Sequence, residues 1–107
     1  MTDIETAKAV AEACGWTRHK MFTIYGGGGF GIYLGDYWRT FNPVQRLDDA
    51  FFAAEAAGLF RQGASLWEFD PGVWEICFRD DESFVRAETP AKAICAAILA
   101  MHAATPR

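Results

Sequence analysis

The chain has 107 residues, of which 51% are hydrophobic and 15% aromatic, and it carries a formal net charge of −4. That composition excludes a disordered tail and fits one domain, residues 1–107, with a core of its own. Fourteen Asp/Glu against ten Lys/Arg argue against a general nucleic-acid binder, which shows a basic surface, so no direct nucleic-acid partner is expected and the acidity suits a partner with a basic groove.

Residues 3–14 read as a helix. Ile4, Ala7, Val10, Ala11 and Cys14 recur at spacings of three and four, Thr2 or Asp3 caps the start, and Gly15 follows the end. "MFTIY" (residues 21–25) reads as a strand, and so does "FGIYLGDYWRTF" (residues 30–41) beyond a run of glycines. Asn42-Pro43 marks a turn or a helix start. A second helix runs from Leu47 to Phe60, with Leu47, Ala50, Phe51, Ala54, Ala57 and Gly58 on its inner face and Gly63 just past it.

"SLWEFD" and "VWEICFRD" then flank Pro71-Gly72, a strong turn signal. In the second of these runs Val73, Glu75, Cys77 and Arg79 alternate with Trp74, Ile76 and Phe78, giving one mixed and one apolar face. "DDES" makes the next turn and "FVRAE" a short strand. Thr89 caps a last helix through about Ala103, with Pro90 at its first position. Lys92 and His102 are the only strongly polar side chains of that helix. It is therefore expected to be buried on more than one side, either centrally on a sheet or against a second copy of the chain. The order is αββαβββα.

The stretch Tyr25–Trp38 holds six glycines and five aromatics in fourteen residues. "GGGGFG" matches G-x-G-x-x-G, but a dinucleotide site needs that motif to open a helix, and "IYLGDYW" is a poor helix start. The glycine loop of protein kinases lies between strands as this one does, yet it works with a lysine on the next strand, and none occurs between Lys20 and Lys92. The run is therefore expected to be a hairpin joint whose glycines accept positive φ.

No catalytic constellation stands out. His19 and His102 are the only histidines, and no C-x-x-C or H-x-x-x-H spacing exists, so neither metal nor cofactor is expected. Cys95 and His102 are two helical turns apart, too far for direct activation. Asp48 and Asp49 fall in the first turn of a helix, where the macrodipole favours negative charge. Asp80, Asp81 and Glu82 fall in a turn. The three cysteines sit among apolar residues, as reduced thiols do. The N-terminus lacks a basic start and an apolar core, and no apolar run reaches membrane-spanning length, so a cytoplasmic protein with no membrane partner is expected. "TRHK" (residues 17–20) is the one basic cluster.

The second half of the chain resembles the small phage-encoded "phage ABA sandwich" domains. The residues that carry the resemblance are Trp74, Ile76, Phe78, Ala87, Thr89, Pro90, Ala93, Ile94, Cys95, Ala97 and Leu99, together with Leu47, Ala50 and Phe51 of the central helix. The polar cap that often precedes that helix is replaced by Val44, Gln45 and Arg46, and the glycine run is this chain's own. The resemblance implies an α+β fold with an antiparallel sheet of four to five strands packed by three helices, α/β/α-sandwich-like, and a phage or prophage origin.

The expected function is a non-enzymatic protein–protein interaction module acting in the bacterial host cell, in its specific form an inhibitor of a host defence system such as a CRISPR effector. Its partner surface is expected at Gly28, Gly29, Phe30, Tyr33, Tyr37, Trp38, Asp80, Asp81 and Glu82, with Phe41 as a further exposed anchor. The alternatives are a small-molecule or nucleotide binder, its pocket formed by the glycine joint and nearby aromatics, and a structural homodimer through the last helix.

Overall fold

A computed structural model describes residues 2–24, 27–79 and 83–104. The elements in chain order are α1 (Asp3–Ala13), β1 (His19–Ile24), β2 (Gly27–Leu34), β3 (Tyr37–Thr40), α2 (Leu47–Ala57), β4 (Ser65–Asp70), β5 (Val73–Cys77), β6 (Phe84–Ala87) and α3 (Pro90–Ala104). The strands form two antiparallel three-stranded sheets, β1-β2-β3 and β4-β5-β6, not the single sheet of four to five strands expected. One strand more appears than the sequence suggested. Gly35, at φ 68°, turns the chain with Asp36 and splits the aromatic run into β2 and β3.

The sheets stay separate because helices fill the space between them. β2 packs on α1, α1 and α2 pack on α3, and α3 packs on β5 and β6. This burial on several sides accounts within one chain for the apolar composition of α3, where Ala91, Ala93, Ile94, Cys95, Ala97 and Ile98 are all buried. Alanines also line the buried side of α2, at Ala50, Ala53 and Ala54, which lets the helix axes approach closely. Ile32 and Phe41 from the first sheet and Ile76 from the second complete the core.

The helix signals of the sequence operate as physics requires. Thr2 and Glu5 form a capping box on α1, and Gly15 follows its end at φ 85°. The Thr89 hydroxyl accepts from the Lys92 N–H to cap α3. α2 has no side-chain cap at Arg46 and ends at Gly58, in the left-handed region, so it stops short of Phe60.

The buried face of α2 is rotated from the expected one. Leu47 and Phe51 are exposed, whereas Asp49 is only 2% exposed. An ion pair sets this rotation. Asp49 Oδ1 takes a hydrogen bond from Arg39 Nη2 of β3 at 2.5 Å, and its Oδ2 takes the Asn42 N–H at 2.9 Å. Arg39 also lies over Phe52, which stacks on Trp16, and Trp16 meets Phe41 edge-on. Asp49 thus clamps α2 to the first sheet and to the loop that enters the helix.

Removing the carboxylate leaves a part-buried backbone N–H and a half-buried guanidinium without their acceptor. Asp49→Ala is expected to lower stability by about 2 kcal/mol in urea denaturation, with Asp48→Ala as the exposed control. A loss under about 0.5 kcal/mol, the range of ordinary surface changes, would contradict the clamp.

Candidate functional site

In the second sheet, strand alternation sends Leu66, Trp74, Ile76 and Val85 toward α3 and puts Trp67, Glu75, Cys77, Phe84 and Arg86 on the opposite side. A register shift between Glu68 and Asp70 brings Phe69 beside them. This outer face is built around one carboxylate. Glu75 Oε1 accepts the Trp67 indole N–H at 2.9 Å and the Cys77 thiol at 3.0 Å, and its Oε2 accepts from Arg86 Nε at 2.7 Å. The Arg86 guanidinium lies over both Phe69, at 3.9 Å, and Phe84, at 4.5 Å.

The arrangement holds large apolar rings in water. Trp67 is 53% exposed and Phe84 52%, with Phe69 close behind, while Glu75 beneath them is 4% exposed. Glu75 is shielded by a single layer of flat side chains and not by depth. Hydrogen bonds from Cys77 and then Arg86 outweigh that shielding, with help from Trp67, and hold its carboxyl below the usual 4.5. The ionised form braces three side chains at once. The alternation in 73–79 was legible in the sequence, but the residues that make this face, Trp67, Phe69, Phe84 and Arg86, were missed. The signal was available: Trp67 pairs with Glu75 across a Pro-Gly hairpin, and Glu75 with Arg86 across the next turn.

The first sheet answers the question of the glycines. Gly27, Gly28 and Gly29 belong to β2 itself, paired with Ile24, Thr23 and Phe22, so they are strand and not a joint. Residues 25 and 26 lie outside the described residues. Neither Gly29 nor Gly31 has a positive φ; what both provide is room. A Cβ on Gly29 would lie 2.3 Å from the Phe22 ring and one on Gly31 2.6 Å from the Trp38 ring. The two rings lie on bare backbone and meet each other at 5.4 Å. Lys20 stands over Trp38 and Arg18 over Tyr33.

The residues expected to form one partner surface separate. Gly29, Tyr33 and Trp38 share this outer face. Tyr37, though exposed, neighbours Trp38 along a strand and points the other way, toward the side of Leu34. Phe30 and Phe41 are core residues, which corrects their assignment as exposed positions. Gly28 lies in β2 opposite Thr23. Asp80, Asp81 and Glu82 lie outside the described residues. Gly29 and Phe30 also border a cleft of about 510 Å³ with Ile4, Phe22, Phe41 and Asp49, but Tyr33, Tyr37 and Trp38 take no part in it. Its carboxylates are engaged, Asp49 as above and Asp3 by Gln45.

No family model matches the chain, and no curated protein or solved structure matches it either. The chemistry of the two outer faces therefore carries the functional reading.

Two of the three thiols, Cys14 and Cys95, add no nucleophile to it. Burial pushes Cys14 up to about 11 and Cys95 up to about 12, so both stay protonated near neutrality. Among the described residues no three His, Cys, Asp or Glu gather to hold a metal, and no helix is long and apolar enough to cross a membrane.

A carboxyl held below its ordinary value stabilises the fold above that value, and the contribution is lost as pH falls through the lowered one. Lowering the pH from about 5 to about 3 is therefore expected to reduce the urea midpoint more steeply in the wild type than in Glu75→Gln, which has no proton to take up at this site. Parallel curves for the two proteins would show that Glu75 is not held ionised by its neighbours.

Proposed function

We propose that this chain is a non-catalytic protein-interaction module whose docking face is the outer side of β4–β6, centred on Trp67, Phe69, Phe84 and Arg86. The observation that carries the reading is the Glu75 brace. It fixes three large exposed rings and an arginine in one orientation, so little side-chain freedom remains to be lost on binding. Tryptophan and arginine are the residue types that dominate binding energy at protein interfaces, in rigid clusters of this kind.

Charge specifies the partner further. Residues 65–88 hold seven of the fourteen carboxylates, Glu68, Asp70, Glu75, Asp80, Asp81, Glu82 and Glu88, against two of the ten basic side chains, Arg79 and Arg86. The occupant is a protein surface with an apolar cleft and a basic rim. A nucleic-acid-handling complex of a host defence system offers such rims, and with the resemblance to phage ABA sandwich domains this makes a phage-type inhibitor the specific form of the proposal. α3 is covered by its own chain, so an apolar last helix no longer argues for a homodimer.

The test uses purified CRISPR effector complexes of the bacterial host. Wild type is expected to block target binding or cleavage at stoichiometric amounts. Trp67→Ala and Phe84→Ala, both at exposed positions, are each expected to weaken inhibition roughly 30-fold, as loss of a hot spot does. Full effector activity at excess protein would overturn the inhibitor form. Inhibition unchanged in both variants would overturn this choice of face.

A further inference from the structure

We propose that the outer face of β1–β3 binds single-stranded nucleic acid, independently of the docking face on the second sheet. The chain-wide charge of −4 hides an uneven distribution. Residues 16–41 hold three basic side chains, Arg18, Lys20 and Arg39, and one acidic one, Asp36, of the fourteen in the chain. Arg39 turns inward to Asp49. Arg18 and Lys20 stand on the outer side, and none of the three strands contains an Asp or Glu. The acidic chain thus presents one locally basic sheet.

Between these cations lies an aromatic floor. Because Gly29 and Gly31 have no side chains, the Phe22 and Trp38 rings settle on the β2 backbone, and Trp38 keeps 41% of its surface exposed. A flat ring accepts a nucleobase by stacking, whatever the base, and here the exposed Lys20 side chain, which lies over Trp38, swings off the ring to admit it. Lys20, 5.0 Å from the centre of the Trp38 ring, and Arg18, 4.8 Å from that of Tyr33, are placed to meet the phosphates on either side of the stacked base. Lys20 lies in β1 and Arg18 just before it, where the Arg18 carbonyl accepts the Tyr33 N–H; at the rise of a strand a two-residue step is about 6.6 Å along the chain, a spacing that tracks an extended backbone. A duplex presents no free base faces, so a single strand is the form this surface takes.

The consequences can be measured by fluorescence anisotropy with a labelled oligothymidylate and the full chain. Two phosphate contacts to a single strand give a salt slope near −1.4, so affinity is expected to fall roughly sevenfold from about 50 mM to about 200 mM salt. Lys20→Ala removes one contact and is expected to reduce that fall to roughly threefold. Trp38→Ala is expected to weaken binding about tenfold or more through loss of the stack, and Trp67→Ala on the other sheet to leave it unchanged. Far-ultraviolet circular dichroism checks that the variants fold, and Lys20→Ala, at an exposed position, keeps the test open if Trp38→Ala does not.

Three outcomes would overturn the proposal: no anisotropy change at low salt with protein in the hundreds of micromolar, binding indifferent to both Lys20→Ala and Trp38→Ala, or displacement of the oligonucleotide by an equal charge of polyglutamate, which would make the face a general anion surface. Because Trp67 and Phe84 take no part, failure here leaves the second-sheet docking face standing, and the reverse also holds.

Discussion

Helices cover one face of each sheet and leave the other to water, and this constraint shapes the rest of the molecule. A three-stranded sheet is close to the smallest that is stable, and it gains that stability from apolar packing on at least one side. Here the inner sides of both sheets converge on α1, α2 and α3, whose buried alanines allow close approach. The outer sides are finished by the strands themselves. Aromatic rings lie across neighbouring strands, and cations cover the rings. Such pairs add modest stability each, but their second effect is to hold large side chains still at the surface.

The two outer faces solve this problem by different chemistry. In the second sheet the anchor is a carboxylate that gathers an indole, a thiol and a guanidinium, and the rings are fixed through Arg86. In the first sheet the anchor is the absence of side chains: glycines leave bare backbone on which Phe22 and Trp38 rest. The charges follow the same division, with carboxylates concentrated around β4–β6 and few acids along β1–β3. One small chain thereby joins an acid-rich segment around one sheet to an acid-poor one along the other, and each sheet shows exposed aromatics on its outer side.

Much of this was legible in the sequence. Helix starts at Thr2 and Thr89, ends at Gly15, and the Pro71-Gly72 turn rest on local chemistry, which acts through neighbours in the chain. What escaped depends on contacts across sequence. The face of α2 was misplaced because hydrophobic spacing favoured Leu47 and Phe51, whereas the Arg39 pair draws Asp49 inward from ten residues away. A glycine run is a turn signal in isolation, which is why the sequence reads as a joint here; only the pairing with Phe22 and the nearness of Trp38 turn it into strand. The outer face of β4–β6 escaped because alternation was followed within residues 73–79 alone, and only the pairing of Trp67 and Arg86 with Glu75 across strands puts these side chains on one side of the sheet.

The seating of aromatic rings on glycine backbone is the feature most peculiar to this chain, and the stability of Gly31→Ala tests it most directly. Gly31 lies in a strand without a positive φ. At such a position with free space, alanine stabilises by about 0.4–1 kcal/mol through the unfolded chain. With the Trp38 ring at 2.6 Å and the Arg39 carbonyl oxygen at 3.0 Å from the added Cβ, it is instead expected to destabilise by about 1–3 kcal/mol, and less in a Trp38→Ala background, where the carbonyl alone is met. A stabilising Gly31→Ala would contradict the account, because it would mean that no ring rests there.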